Sequence, residues 1–303
     1  MDELKQPKIT EAYRADPEER KKLFEKLRKD RYVHRLMKKN GIPEEELARS
    51  LYRFKRYREE IEPCISCQSL KDCKQKIQGF HPGLYYDGLL NERLEACRYR
   101  MEEDERTAHL QNYLVNDLAR EFHTVSFDEI DISGESKEYT EAVLKASDLC
   151  YEEKGAYLYG NMGTGKTYLA ACAANYITRS GKKAAFIHCP SFFDRLASSY
   201  HTGEYRIEAE RCRFADLLVM DDIGAEAVSE RGRMVMLSIL DARMQNHRMT
   251  WFTSNDDYEM LRNHLRYTSS GEDTAAADRI IERIRALASP IYLSGDDRRS
   301  LYG

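Results

Sequence analysis

One octapeptide limits the fold more than any other stretch of the chain. Gly160-Asn161-Met162-Gly163-Thr164-Gly165-Lys166-Thr167 fits the pattern G-x-x-x-x-G-K-[ST] at every position. It follows the short apolar run Ala156 to Tyr159. It precedes Tyr168 to Ala174, the longest strictly apolar run in the chain. A strand, a glycine-rich turn and a helix in that order open a βα unit. Further strands are expected at Ala184 to His188, Leu217 to Asp221, Met249 to Ser254 and Ile291 to Leu293. Helical periodicity separates them at about 166–179, 191–199, 231–246 and 276–288. Alternation of this kind predicts an α/β fold, with a parallel sheet covered by helices on both faces.

The same residues predict chemistry. Glycines let successive backbone N–H groups turn toward a phosphate, and the helix N-terminus adds its positive dipole end. Gly160, Asn161, Met162, Gly163, Thr164 and Gly165 would form the cradle for ATP. Lys166 would reach the β- and γ-phosphates, and Thr167 would supply an oxygen to Mg²⁺. Four apolar residues, Leu217 to Met220, lead into Asp221-Asp222. The C-terminal strand end is where open α/β sheets bind ligands. Asp221 is expected to engage Mg²⁺ directly or through water, and Asp222 to polarise the attacking water. Many related ATPases carry Glu at the second place. Asp is one methylene shorter, so slower turnover or help from a second subunit is expected. Thr253-Ser254-Asn255 ends the next strand. Asn255 is the expected γ-phosphate sensor, because an amide donates and accepts together.

The N-terminal half reads differently. Residues 1–60 hold 18 Lys+Arg against 13 Asp+Glu, although the whole chain carries a net charge of −4. Leu23, Phe24, Leu27, Tyr32, Val33, Leu36 and Met37 recur at helical spacing. Asn40-Gly41-Ile42-Pro43 is a stop and restart, followed by a helix from about 44 to 60. Gly79 to Gly88 reads as turn or irregular structure, and 89–121 as a charged helical stretch. Cys64-x2-Cys67-x5-Cys73-x7-His81 offers three thiolates and an imidazole, a set Zn²⁺ favours, with Cys97 as reserve ligand. A redox C-x-x-C is the competing reading, but it needs a βαβ setting that these surroundings lack. Cys150, Cys172, Cys189 and Cys212 stand alone among apolar neighbours and are expected in the core. The expected division is a smaller, mainly helical zinc-binding domain over 1–108, a linker over 109–125 and an ATPase domain over 126–303.

Composition narrows the class. Hydrophobic residues make up 42% and charged residues 33%, which allows a core under a heavily charged surface. No apolar run approaches a membrane span, and the N-terminus has no apolar stretch of a secretory signal. A cytoplasmic protein with no membrane partner is expected.

Taken together, the motifs resemble the bacterial replicative helicase loaders of the DnaI/DnaC type, nearest the DnaI form. The resemblance rests on the loop at 160–167, Leu217 to Gly224 with Ala225-Glu226, Thr253-Ser254-Asn255, the arginines from Arg279 to Arg285, and the upstream Cys64, Cys67, Cys73 and His81. It implies an AAA+ P-loop ATPase domain and an N-terminal domain that binds the replicative DNA helicase hexamer. It implies self-association on that helicase, delivery of the ring onto single-stranded DNA, and contact with other primosome proteins. It also implies a finger arginine, Arg283 by its place in box VII, and a sensor 2 arginine, Arg298 or Arg299. Tyr200, Ser229 and Arg231 lie in segments resembling the single-strand-binding elements. Two other readings stay open: a transposition helper ATPase of the IstB type, for which no zinc-bearing N-terminal domain is expected, and an adaptor that uses ATP only as a shape switch.

Overall fold

The computed structural model describes residues 16–199, 202–225, 229–268, 271–295 and 297–298. The chain divides into two compact units, Met1–Glu105 and Arg106–Gly303.

In the first unit, α1 (Pro17–Arg28), α2 (Arg31–Lys39), α3 (Glu44–Arg49), α4 (Leu51–Glu60) and the single turn α5 (Glu62–Ile65) enclose a small core. Leu27, Val33, Leu36, Leu47, Leu51 and Phe54 are buried in it. Asp30 caps α2 by accepting from the Tyr32 and Val33 amides, and its other oxygen takes the Arg58 guanidinium at 2.7 Å. Gly41, at φ +61°, makes the turn between α2 and α3.

Residues 79–88, expected to be irregular, instead supply strand β1 (Phe80–Tyr86), paired antiparallel with β2 (Leu90–Ala96). Leu84 and Leu90 are buried in the same core as α4. Pro82 is tolerated because each strand of a two-stranded ribbon keeps one unpaired edge. The stretch 89–121, expected to be helical throughout, is helical at α6 (Arg98–Thr107) and in 3₁₀ turns at Ala108–Asn112 and Arg120–Phe122.

The zinc expectation is overturned. Among the described residues no group of three or more His, Cys, Asp or Glu side chains is placed to hold a metal ion. The side chains are otherwise engaged. His81 lies on β1 with Nδ1 2.9 Å from the Pro82 carbonyl. The Cys64 thiol accepts from Gln75 at 3.1 Å, Cys67 donates to the Ser69 carbonyl at 3.2 Å, and Cys73 accepts from the Gly79 amide at 3.3 Å. Burial, with Cys73, Cys67 and Cys97 nearby, raises the Cys64 pKa. Spacing along the chain did not translate into a ligand set that includes His81. The first unit is thus described without a zinc site.

In the second unit strands and helices alternate as expected, and the sheet is covered on both faces. Strands β3 (Tyr113–Asn116), β4 (Ala156–Tyr159), β5 (Ala184–His188), β6 (Leu217–Asp221) and β7 (Met249–Ser254) join β10 (Ser289–Tyr292). A separate antiparallel pair, β8 (Tyr267–Thr268) and β9 (Gly271–Glu272), stands apart from them. The six strands are all parallel, in the order β10-β4-β7-β6-β5-β3. Ala156, Leu158, Phe186, Val219 and Trp251 face α7 (Lys137–Tyr151) and α8 (Lys166–Arg179). Tyr157, Ile187, Leu218, Met220 and Phe252 face the other layer. That layer is α9 (Cys189–Ser199), α10 (Tyr205–Phe214), α11 (Glu230–Gln245), α12 (Tyr258–Arg266) and α13 (Thr274–Leu287). The four isolated cysteines are all buried here.

The segment 109–125, read as a linker, carries β3 and belongs to this unit. Buried Asn175 fixes it. Its amide donates to the Phe122 and Val125 carbonyls, each at 2.9 Å, and its oxygen accepts from Tyr113 Oη at 2.7 Å. Buried Arg243 pins the opposite layer. It donates to the carbonyls of Cys212, Ala215 and Met249, and burial pulls its pKa down to about 9. No helix among the described residues is long and apolar enough to cross a membrane.

Candidate nucleotide site

The loop 160–165 joins β4 to α8, so it lies at the C-terminal edge of the sheet. Three of its residues need glycine. Gly160, Gly163 and Gly165 sit at φ +144°, +80° and +94°, where L side chains are strained. Space matters as well: a Cβ on Gly160 would strike the Leu293 carbonyl, and one on Gly163 the Asp297 carboxylate. Thr164 Oγ1 donates to the Asn161 carbonyl at 3.0 Å. Met162 is exposed at the tip. Lys166 opens α8, buried to 8% exposure, and its ammonium donates to the carbonyls of Gly160 at 2.9 Å and Asn161 at 2.6 Å. The cation is therefore held over the loop, and the N-terminus of α8 points at the same spot.

Strand β6 brings the acids alongside. Thr167 Oγ1 donates to Asp221 Oδ1 at 2.8 Å. Thr253, on the adjacent β7, donates to the same oxygen at 2.6 Å. Burial raises the Asp221 pKa above its ordinary value, the two hydroxyls oppose that rise, and neighbouring Asp222 adds to it. Asp222 leaves the strand at φ +59°, with its amide donating to Thr253 Oγ1 at 2.8 Å. Thr253 thus ties both acids together. His188 ends β5 directly opposite Asp221, and its Nε2 lies 3.9 Å from Asp222 Oδ2. The other ring nitrogen meets Ser191 Oγ at 2.8 Å. A hydroxyl and a carboxylate sharing one hydrogen bond are hard oxygen donors of the kind that would hold Mg²⁺ beside phosphate oxygens and water.

The remaining expected residues fall in different places. Asn255 lies just beyond the end of β7 and is exposed. Thr253 and His188, which contact the two acids, were missed. Both signals existed as polar residues at strand ends, but which strands are neighbours is a property of the sheet order. Arg283, on α13, donates to Asp241 on α11 at 2.8 Å, whereas Arg279 on the same helix is exposed. Arg285 lies over the Tyr258 ring at 5.0 Å. Arg298 pairs with Glu135 and stacks on Tyr139, 3.7 Å from the ring centroid. Ser229 is the N-cap of α11, accepting from the Gly232 amide at 3.1 Å. Arg231 is exposed in the first turn of that helix. Tyr200 and Arg299 lie outside the described residues.

The family model of IstB-like ATP-binding proteins matches residues 96–300. The replicative helicase loader DnaI of Bacillus subtilis (strain 168) is 28% identical over 284 residues, 91% of each chain. A crystal structure of DnaI is 31% identical with a TM-score of 0.54, covering 63% of this chain and 99% of that one. A putative primosome component from Streptococcus pyogenes serotype M3 is 28% identical with a TM-score of 0.52, covering 64% of this chain and all of its own. The loop, the paired acids and these matches converge: the chain belongs to the DnaI/DnaC/IstB family of AAA+ P-loop ATPases.

Proposed function

We propose that this chain is an ATP-controlled loader that binds a replicative DNA helicase and delivers it onto single-stranded DNA. The observation that carries this reading is the reach of the likeness to DnaI: it runs through 91% of both chains. It therefore takes in much of the first unit, which the family model from residue 96 leaves almost untouched. Likenesses to putative insertion-sequence ATP-binding proteins cover less of this chain, 34% for that of IS1162 and 54% for y4uH of Sinorhizobium fredii. That favours the loader over a transposition helper.

The residues divide the work. On nucleotide binding, Lys166 exchanges the Gly160 and Asn161 carbonyls for the β- and γ-phosphates. The amides of the loop and of the α8 N-terminus hold the phosphate oxygens. Thr167 and Asp221 are the protein ligands for Mg²⁺, which supplies charge neutralisation at the phosphates when bound. Asp222 orients the attacking water, with His188 beside it, and Asn255 reads the γ-phosphate. An arginine of α13, Arg283, stabilises the developing charge in a neighbouring subunit. Arg283 must leave Asp241 to do so, which makes its release part of assembly. The first unit docks on the helicase, and Ser229 and Arg231 at the start of α11 contact the strand.

Capture of the cognate replicative helicase by the immobilised full-length chain tests the reading. Stoichiometric capture is expected in the presence of ATP. Absence of capture with and without ATP would overturn it.

A further inference from the structure

Beyond β10, residues 293 and 297–298 lie against the phosphate loop. Leu293 N–H donates to the Tyr159 carbonyl at 2.8 Å, continuing the β10–β4 pairing to the loop's first residue. The missing Cβ of Gly160 lets the Leu293 carbonyl pass. Arg298 N–H then donates to the Gly163 carbonyl at 2.9 Å. The Asp297 carboxylate fills the space a Gly163 side chain would need. Finally the Arg298 guanidinium grips Glu135 through both carboxylate oxygens, with its Cζ over the Tyr139 ring, 3.7 Å from the centroid, and only 15% of its side chain exposed.

Peptide geometry says which side of the loop this arm occupies. The N–H groups of a phosphate loop face the ligand. In a trans peptide the carbonyl points the opposite way from its N–H. The Gly163 carbonyl opposes the Thr164 N–H across their shared peptide, so the arm meets the loop on the side away from that amide. Its far end is locked to Glu135, just ahead of the Ser136 cap of α7. The loop is thus held between its own strand and a clamp formed by residues 163 positions apart in sequence.

We infer that Arg298, Glu135 and Tyr139 form a latch that holds this C-terminal arm against the phosphate loop and sets the rate at which nucleotide is exchanged. The inference rests on the nucleotide reading of the loop. A loop that must flex to release a phosphate has to strain or break the latch, because its Gly163 carbonyl is tied to the arm. Loss of the latch leaves the loop, Lys166 and Asp221 in place but frees the loop to open. In this geometry Arg298 acts on Glu135 and Tyr139, whereas a phosphate-sensing arginine would act on the ligand itself.

Stopped-flow release of a fluorescent ADP analogue from the full-length chain separates these roles. Glu135→Gln keeps the size of the side chain and removes the charge, and Arg298→Gln removes the other partner. The latch predicts that each variant releases the analogue faster, by about tenfold for a bidentate charge-assisted pair. It also predicts that the double variant is no faster than either single one, because both changes break one interaction. If Arg298→Gln alone alters release while Glu135→Gln matches the wild type, Arg298 is a ligand contact and the latch is wrong. Unchanged release in both variants would overturn it equally. A wild-type chain that bound no nucleotide would overturn the loop reading and the latch together. Unchanged thermal melting of Glu135→Gln shows that any change in release is local.

Discussion

Thr253 Oγ1 donates to Asp221 Oδ1 at 2.6 Å while accepting from the Asp222 amide at 2.8 Å. One hydroxyl on β7 therefore sets the position of both acids at the end of β6. It can do so because β6 and β7 are adjacent parallel strands, with Met220 opposite Phe252.

Thr253→Val removes that hydroxyl at constant shape. Two buried hydrogen bonds are lost, and the Asp222 amide is left without its acceptor, at a cost of about 1–3 kcal/mol. Turnover should fall roughly 10- to 100-fold, as when a group that orients a metal ligand is removed. Thr253→Ser should recover most of it. Denaturant melts and steady-state hydrolysis check both. Wild-type turnover in the Val variant would show that the acids need no such support.

Asp221→Asn should separate stability from function. Burial raises the folded-state pKa of Asp221 above its ordinary value of 3.8. Its contribution to stability is thus full below that value and is lost as pH rises through the folded pKa. Ionisation of this buried carboxylate therefore opposes folding in metal-free protein. The Asn variant should then melt at a higher temperature than the wild type, with the gap closing as pH falls toward 3.8. The same variant should lose Mg²⁺-dependent strengthening of nucleotide binding. A lower melting temperature at pH 7, or retained Mg²⁺ dependence, would contradict the assignment.

Much of this site is legible along the chain because its parts are contiguous. Gly160 to Thr167 announces itself by spacing, and Leu217 to Asp222 by an apolar run that ends in acids. The buried strands are legible for the same reason, since both faces are covered and the runs are nearly continuous. What escapes local reading depends on partners far away. Tyr113 to Asn116 is a strand only because β5, about 70 residues later, offers it an edge. Pro82 and Gly83 look like turn residues until α4 supplies a core for Leu84. Thr253 reads as an ordinary strand-end residue beside Asn255 until the sheet order puts it against Asp221. The cysteine spacing misled in the other direction: Cys64, Cys67, Cys73 and His81 lie close in sequence, yet among the described residues no such group is placed to hold a metal ion.

Arg283 is the hardest assignment, since the guanidinium is already bound to Asp241. If it serves a neighbouring subunit, Arg283→Ala should leave nucleotide binding intact. In the assembly with helicase and single-stranded DNA, turnover should fall by roughly 10³-fold or more, the range for a finger arginine. Mixing Arg283→Ala with Lys166→Ala chains should restore part of it, because some interfaces then pair an intact loop with an intact arginine. A comparable loss from Arg279→Ala, with none from Arg283→Ala, would move the role to the exposed arginine one turn earlier.

Loading itself is the most direct test of the account. The cognate replicative helicase, the full-length chain and a circular single-stranded DNA without ends are mixed with ATP, and helicase retained on the circle is measured after a high-salt wash. The account predicts retention that requires the chain and ATP and is lost with Lys166→Ala. Equal retention without the chain, or with Lys166→Ala in its place, would contradict it.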